Sequence, residues 1–219
     1  MAQKTDRPRV KGRYLGVDQL RIDFGIRKEE IQERLRDFAA VSPEHHIYEL
    51  VYCLLTPQSS AVNAGMAVES LKASGFFERD VEPSGLLHQK GFYIRFHNTK
   101  GRHLREAKGN FNQIAAALSN GHSSTELRTW LVKNVRGLGW KEASHFLRNI
   151  GHRNLAILDR HILKNLRHHN VIGSLPKSLT QKRYLAIERK FLAFSEHVGI
   201  SMDELDLLFW SRETGRVLK

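Results

Sequence analysis

Apolar residues recur at helical spacing along almost the whole chain from about residue 26, and this periodicity limits the fold more than any other feature. Ile31, Leu35 and Phe38 share one helical face, and Ile47 to Leu55 follow the start signal Ser42-Pro43. Further helical patterns cover Ala61–Ser74, Arg102–Leu118, Ser124–Val135, Lys141–Ile150, Arg160–His169, Gln181–Val198 and Met202–Thr214. No sheet pattern competes with them, and there is no internal repeat, coiled coil or low-complexity tract. Pro8, Pro43, Pro57, Pro83 and Pro176 all fall at element starts or in connections. The chain therefore reads as all-α with roughly ten helices. Residues 1–25 read instead as a basic, loosely ordered arm, with a short extended piece around Leu20–Phe24.

With 219 residues, the chain should bury roughly 70% of the surface its unfolded form exposes, enough for a core without staples. Its one cysteine, Cys53, excludes an intramolecular disulfide framework and an all-cysteine zinc or iron–sulfur site. The apolar neighbours Leu50, Val51, Tyr52, Leu54 and Leu55 mark it as a core thiol. That apolar run is far short of the roughly 20 residues that cross a bilayer. No secretory signal opens the chain, so an intracellular protein is expected. Thirty-five Lys and Arg against 23 Asp and Glu give a net charge of +12. That balance points to a polyanionic partner, with nucleic acid before a membrane surface, although a merely solvated basic surface would carry the same charge.

The stretch from Ser123 to His169 carries most of the chemistry. Ser123 and Glu126 have capping-box spacing, and Leu127, Leu131 and Val135 then line one face of a helix. Arg136-Gly137-Leu138-Gly139-Trp140 follows, and a second helix presents Ala143, Phe146, Leu147 and Ile150 before stopping at Gly151. Two amphipathic helices joined by Gly-x-Gly make a short hairpin. Its glycines permit a close backbone approach, and the second helix aims unpaired N–H groups outward, which suits a phosphate oxygen. A dinucleotide site would require a third glycine and a preceding strand, and a P-loop a different spacing. By itself the hairpin is equally an ordinary helical corner.

Lys141 alters that balance. It lies in the first turn of the second helix, where the macrodipole favours a carboxylate over a cation, and such local violations often mark function. A positive environment also makes the neutral, nucleophilic amine more accessible. The apolar run Leu155-Ala156-Ile157-Leu158 ends in Asp159, which opens the next helix as an N-cap and is held half-buried, as a catalytic carboxylate should be. Gln58, Phe96, the basic segment Lys100, Arg102, His103, Arg105 and Lys108, and Trp210 are weaker signals. Each has a bland alternative: a cap, a solvated face, or core packing with Leu207 and Leu208. The twelve histidines show no metal-ligand spacing, so no metal is assigned.

Val135-Arg136-Gly137-Leu138-Gly139-Trp140-Lys141-Glu142-Ala143-Ser144, followed by Ile157-Leu158-Asp159-Arg160-His161-Ile162, resembles the helix-hairpin-helix DNA glycosylase superfamily, in particular its archaeal-type 8-oxoguanine DNA glycosylase/AP lyase branch. The resemblance runs from Leu54-Leu55-Thr56-Pro57-Gln58 through Arg95-Phe96-His97-Asn98 to Trp210-Ser211-Arg212-Glu213-Thr214-Gly215. The missing cysteine quartet separates the chain from the iron–sulfur members, endonuclease III and the adenine glycosylases.

The resemblance implies a two-domain, all-α helix-hairpin-helix glycosylase fold with the active-site cleft between two helical domains. One domain would be continuous, 57–154, and carry the hairpin; the other would be assembled from 1–56 and 155–219. It implies a bifunctional base-excision repair enzyme that flips 8-oxoguanine out of double-stranded DNA, removes it, and nicks the abasic site by β-elimination through a lysine Schiff base. Lys141 would be the nucleophile and Asp159 the carboxylate that stabilises charge developing on the sugar. Trp210, the terminal carboxylate of Lys219 and Gln58 would serve base recognition, and Gly137, Gly139, Phe96 and Arg160 would contact DNA. No cofactor, no membrane and no obligate protein partner is expected, and the enzyme would act as a monomer in the cytoplasm, on the nucleoid of a prokaryote. The alternatives are a bifunctional glycosylase for another oxidised base and a non-catalytic helix-hairpin-helix module that only binds DNA.

Overall fold

A computed structural model describes residues 14–217 of the chain. The basic arm before Tyr14, and Lys219, lie outside the described residues. Among those described there are ten α-helices, two short 3-10 turns and one two-stranded hairpin. The chain divides into two compact units: the described residues up to Leu35 together with those from Ala156 onward, and Arg36–Leu155.

The first helix, α1 (Val17–Ala39), corrects the expected extended piece at Leu20–Phe24. Leu20 and Phe24 are buried and continue the stripe of Ile31, Leu35 and Phe38 backwards by whole turns, so the helix follows its apolar face. Gly25, inside it, costs about 1 kcal/mol relative to alanine, which burying Leu20 and Phe24 readily offsets.

In the Arg36–Leu155 unit, α2 (His46–Leu55) is the central element, with Ile47, Leu50, Val51, Tyr52, Cys53, Leu54 and Leu55 all buried. A helix apolar on nearly every side must be surrounded. It packs on α3 (Ala61–Ala73), α4 (His97–Gly109) and α7 (Trp140–Asn149). Between α3 and α4 the chain makes a small antiparallel ribbon, β1 (His88–Gln89) and β2 (Phe92–Tyr93). The single helix expected over Arg102–Leu118 is two, α4 and α5 (Phe111–Ser119), because Asn110 both ends one and starts the other just after Gly109. Asn and Gly favour such breaks, since each tolerates non-helical backbone. The hairpin is completed by α6 (Ser124–Asn134), and α6 packs on α7. The domain boundary expected at 56/57 and the observed division inside α1 differ mainly by α2, whose contacts with α3, α4 and α7 place it in this unit.

The other unit joins the start of α1 to α8 (Arg160–His168), α9 (Gln181–Val198) and α10 (Met202–Thr214). Tyr184, Phe191, Phe194, Leu205, Leu208 and Phe209 form much of its interior. The Tyr184 hydroxyl donates to Ala156 O at 2.5 Å and accepts from Leu158 N at 3.3 Å, while Glu188 accepts from Ala156 N at 2.8 Å. These bonds satisfy an irregular, fully buried run that would otherwise leave backbone groups unpaired, and they fix the approach to Asp159.

Candidate active site

The hairpin forms as its spacing predicts. Ser123 caps α6 by accepting from Glu126 N, and the Glu126 carboxylate accepts from Ser123 N at 2.9 Å. Leu138, at the apex, is buried and its N–H bonds Val135 O at 3.2 Å. Gly137 has φ +88°, a left-handed backbone, and a Cβ there would run into the imidazole of His103. Gly139 is different: its backbone is extended and it serves as the N-cap of α7, with no side chain to cap the helix. The turn thus delivers an uncapped helix N-terminus, the arrangement that receives phosphate oxygens.

Lys141 is the second residue of α7 and 28% exposed, with Nζ 3.2 Å from Oε1 of the half-buried Glu142. The cation at a helix N-terminus is thus matched by the carboxylate that the macrodipole prefers. A second lysine stands close enough for its charge to matter. Lys100 on α4 is buried, and its ammonium donates to Leu55 O at 2.7 Å, Pro57 O at 2.6 Å and Ser59 Oγ at 3.3 Å. Burial, aided by the positive charge of Lys141, holds the Lys100 ammonium down to about 8. The sequence presents Lys100 as one of a basic run; only its i,i+4,i+7 spacing with Leu104 and Ala107, both buried, marks it as inward-facing. The rest of that run is partly spoken for: Lys108 donates to Arg79 O and Arg105 pairs with Glu82.

Lys100 leads to two of the weaker sequence candidates. Gln58 is exposed with φ +56°, and Phe96 is 50% exposed with φ +61°. The Phe96 ring lies under the Arg95 guanidinium, 5.1 Å from its centroid. So Gln58, Phe96, Lys100 and Lys141 belong to one neighbourhood of the Arg36–Leu155 unit.

Asp159, Arg160 and Trp210 lie in the other unit. Asp159 caps α8 as expected: Oδ1 accepts from His161 N and from Ile162 N, both at 2.8 Å, and the side chain is half-buried. Neither bond uses Oδ2. Arg160 Nε donates to His161 Nε2 at 3.0 Å. The His161 ring packs on Trp210, centroids 4.8 Å apart, with Nδ1 3.4 Å from the Glu213 carboxylate. Trp210 is only half-buried, while its neighbours Leu207, Leu208 and Phe209 are fully interior. His161 is the residue that sequence reasoning passed over; it sits at the second helical position after Asp159, where its side chain reaches α10. Among the described residues no three His, Cys, Asp or Glu side chains are grouped to hold a metal ion, and no helix is long and apolar enough to cross a membrane.

A glycine-turned helical hairpin with an uncapped second helix and a half-buried lysine in its first turn defines a helix-hairpin-helix protein. Comparison with known proteins narrows the class. A family model for 8-oxoguanine DNA glycosylase matches residues 31–200. An 8-oxoguanine DNA glycosylase/AP lyase of Fusobacterium nucleatum is 41% identical over 204 residues, covering 86% of this chain and 90% of that one. Another, from Korarchaeum cryptofilum, is 40% identical over 94% of this chain and 100% of its own length. The crystal structure of the Methanocaldococcus jannaschii 8-oxoguanine glycosylase/lyase, in complex with 15mer DNA containing 8-oxoguanine, superposes with a TM-score of 0.81 at 31% identity, covering 93% of this chain and 99% of that one. The chain belongs to the 8-oxoguanine DNA glycosylase family.

Proposed function

We infer that the protein removes 8-oxoguanine from double-stranded DNA and cleaves the abasic site it creates, acting as a single chain on the DNA of the cytoplasm. The relatives that match nearly its whole length carry both activities in their names, and one of the similar structures holds DNA with that lesion. The observation that carries the chemistry is Lys141, semi-exposed in the first turn of the helix that the Gly137 turn delivers.

The neutral Lys141 amine attacks C1′ of the extruded nucleotide, the glycosidic bond breaks, and the base departs. Asp159, with one carboxylate oxygen fixed by two backbone N–H groups, stabilises the positive charge that develops on the sugar. The opened sugar is then held as an imine, whose positive charge acidifies the C2′ proton, so β-elimination breaks the strand on the 3′ side. Glu142, 3.2 Å from Nζ, is placed to hold the lysine side chain in position. Trp210 offers its half-exposed ring to the flipped purine, where base stacking is worth about 1–3 kcal/mol. Gly137, Gly139 and Arg160 lie against the sugar–phosphate backbone; Lys219, the further base-recognition candidate, lies outside the described residues.

Borohydride trapping on a duplex with one 8-oxoguanine tests this directly. Wild type should form a covalent adduct, and Lys141→Gln should form none and nick no strand while its DNA affinity stays within a few-fold. Normal nicking by that variant would remove Lys141 from the mechanism.

A further inference from the structure

Positive φ is uncommon for residues other than glycine, and asparagine tolerates it best. The described residues contain four cases, Gln58, Phe96, Asn154 and Asn170. Asn is the expected occupant of such positions; Gln and Phe are not. Backbone held in sparsely populated regions persists only where its surroundings over-determine it, and it clusters where function requires one conformation. Both unusual residues are exposed, and both trace to one buried ammonium.

Lys100 Nζ has three donors and three acceptors around it: Leu55 O, Pro57 O and Ser59 Oγ. Leu55 is the last residue of α2, so the ammonium also sits where the helix macrodipole favours a cation. Pro57 and Ser59 flank Gln58, which fixes the turn on both sides of the strained residue. Ser59 Oγ in turn accepts from Arg95 N at 3.1 Å, on the residue preceding Phe96. A continuous path of hydrogen bonds therefore joins the turn of Gln58 to the turn of Phe96, with Lys100 at its centre. Asn63 adds a further tie by donating to Tyr93 O at 3.0 Å.

We propose that Lys100 is a positioning residue for base extrusion: its ammonium locks Gln58 and Phe96 into a two-part wedge, one side chain to fill the gap left by the flipped base and the other to press on the stack beside it. This rests on the glycosylase reading above. A flexible pair of loops would lose ordering entropy at the moment of insertion; a pair fixed in advance does not. The buried position of Lys100, otherwise a costly place for a cation, follows from that role.

The test uses a duplex carrying 8-oxoguanine with 2-aminopurine as the adjacent base, whose fluorescence rises when the stack is opened. Lys100→Met keeps the length of the side chain and removes the donors. It should lower the fluorescence change and slow single-turnover excision at least ~10-fold, the scale of losing hydrogen bonds to a charged group. The decisive readout is a double-mutant cycle: Lys100→Met should cost nothing more in a Gln58→Ala, Phe96→Ala background, whereas a purely structural loss would multiply through. Because Lys100→Met can weaken folding, Ser59→Ala serves as the second variant. It leaves the two carbonyl contacts of Lys100 in place and removes the Ser59 Oγ acceptor that Lys100 and Arg95 N share, so its smaller loss should vanish in a Gln58→Ala, Phe96→Ala background. Wild-type fluorescence and excision rates in Ser59→Ala, or losses by Lys100→Met that multiply with the wedge variants, would overturn the proposal while wild-type trapping still upheld the glycosylase reading. Absence of trapping by the wild type would overturn both.

Discussion

In the proposed mechanism Asp159 serves two purposes, as a helix cap and as a charge beside the sugar, and the geometry separates them. Both capping bonds go to Oδ1, so an amide oxygen in the same place can still accept from His161 N and Ile162 N. Asp159→Asn should therefore melt close to wild type, within the ~1 kcal/mol that a changed cap is worth. Excision should nonetheless fall by at least ~100-fold, the scale on which a preorganised charge stabilises a transition state. Single-turnover excision measured beside a thermal melt distinguishes the two roles; normal excision, or a loss explained by unfolding, would leave Asp159 a cap alone. Trp210 shows the same separation from its neighbours. Leu207, Leu208 and Phe209 are buried for packing, while the indole stays half-exposed against His161.

At the scale of elements, the hairpin depends on Gly137. A residue with a Cβ in left-handed backbone loses roughly 1–2 kcal/mol, and here the Cβ would also meet His103. Gly137→Ala should lower stability by about that amount and weaken duplex binding, and adding His103→Ala should relieve the steric part but not the backbone part. Melts and binding of the single and double variants would show it, and an unchanged Gly137→Ala would mean the turn does not use its glycine. Helices with clear punctuation are readable from sequence: α9 (Gln181–Val198) and α10 (Met202–Thr214) span the predicted residues, capped by Thr180 and Ser201 before and by Gly199 and Gly215 after. The break at Asn110 is hidden because the apolar stripe runs on through it, with Leu104 and Ala107 continued by Phe111 and Ile114. Lys141 and Asp159 stand out because each breaks or ends a local pattern. Lys100 does not, since a lysine in a basic run looks solvated until its helix is seen in place. The partnership of Lys141 with Glu142 was written in adjacent letters, but adjacency on a helix alone does not predict a salt bridge.

Across the whole molecule, the two units share a sensitivity to acid. Burial holds His46 and His152 below the usual imidazole range in one, and His169 in the other, where it is flanked by Phe194 and Phe209. The unfolded chain takes up protons at these sites near pH 6.5 while the folded chain still excludes them, so stability is retained above that pH and falls as pH drops below it. Urea unfolding at about pH 7.5 and 5.5 should show the loss, at a pH where carboxylates remain ionised. A His46→Asn, His152→Asn, His169→Asn variant should show a flatter dependence; equal slopes would assign the effect elsewhere. The interior holds one more reactive group, the fully buried thiol of Cys53 in α2. Since only a thiolate reached by reagent reacts, this sulfur is sheltered from the oxidants that produce the lesion, and it becomes a clock. In the native protein a coloured disulfide reagent can label it only when the core opens, so its rate of labelling reads how often that unit unfolds, without any engineered probe.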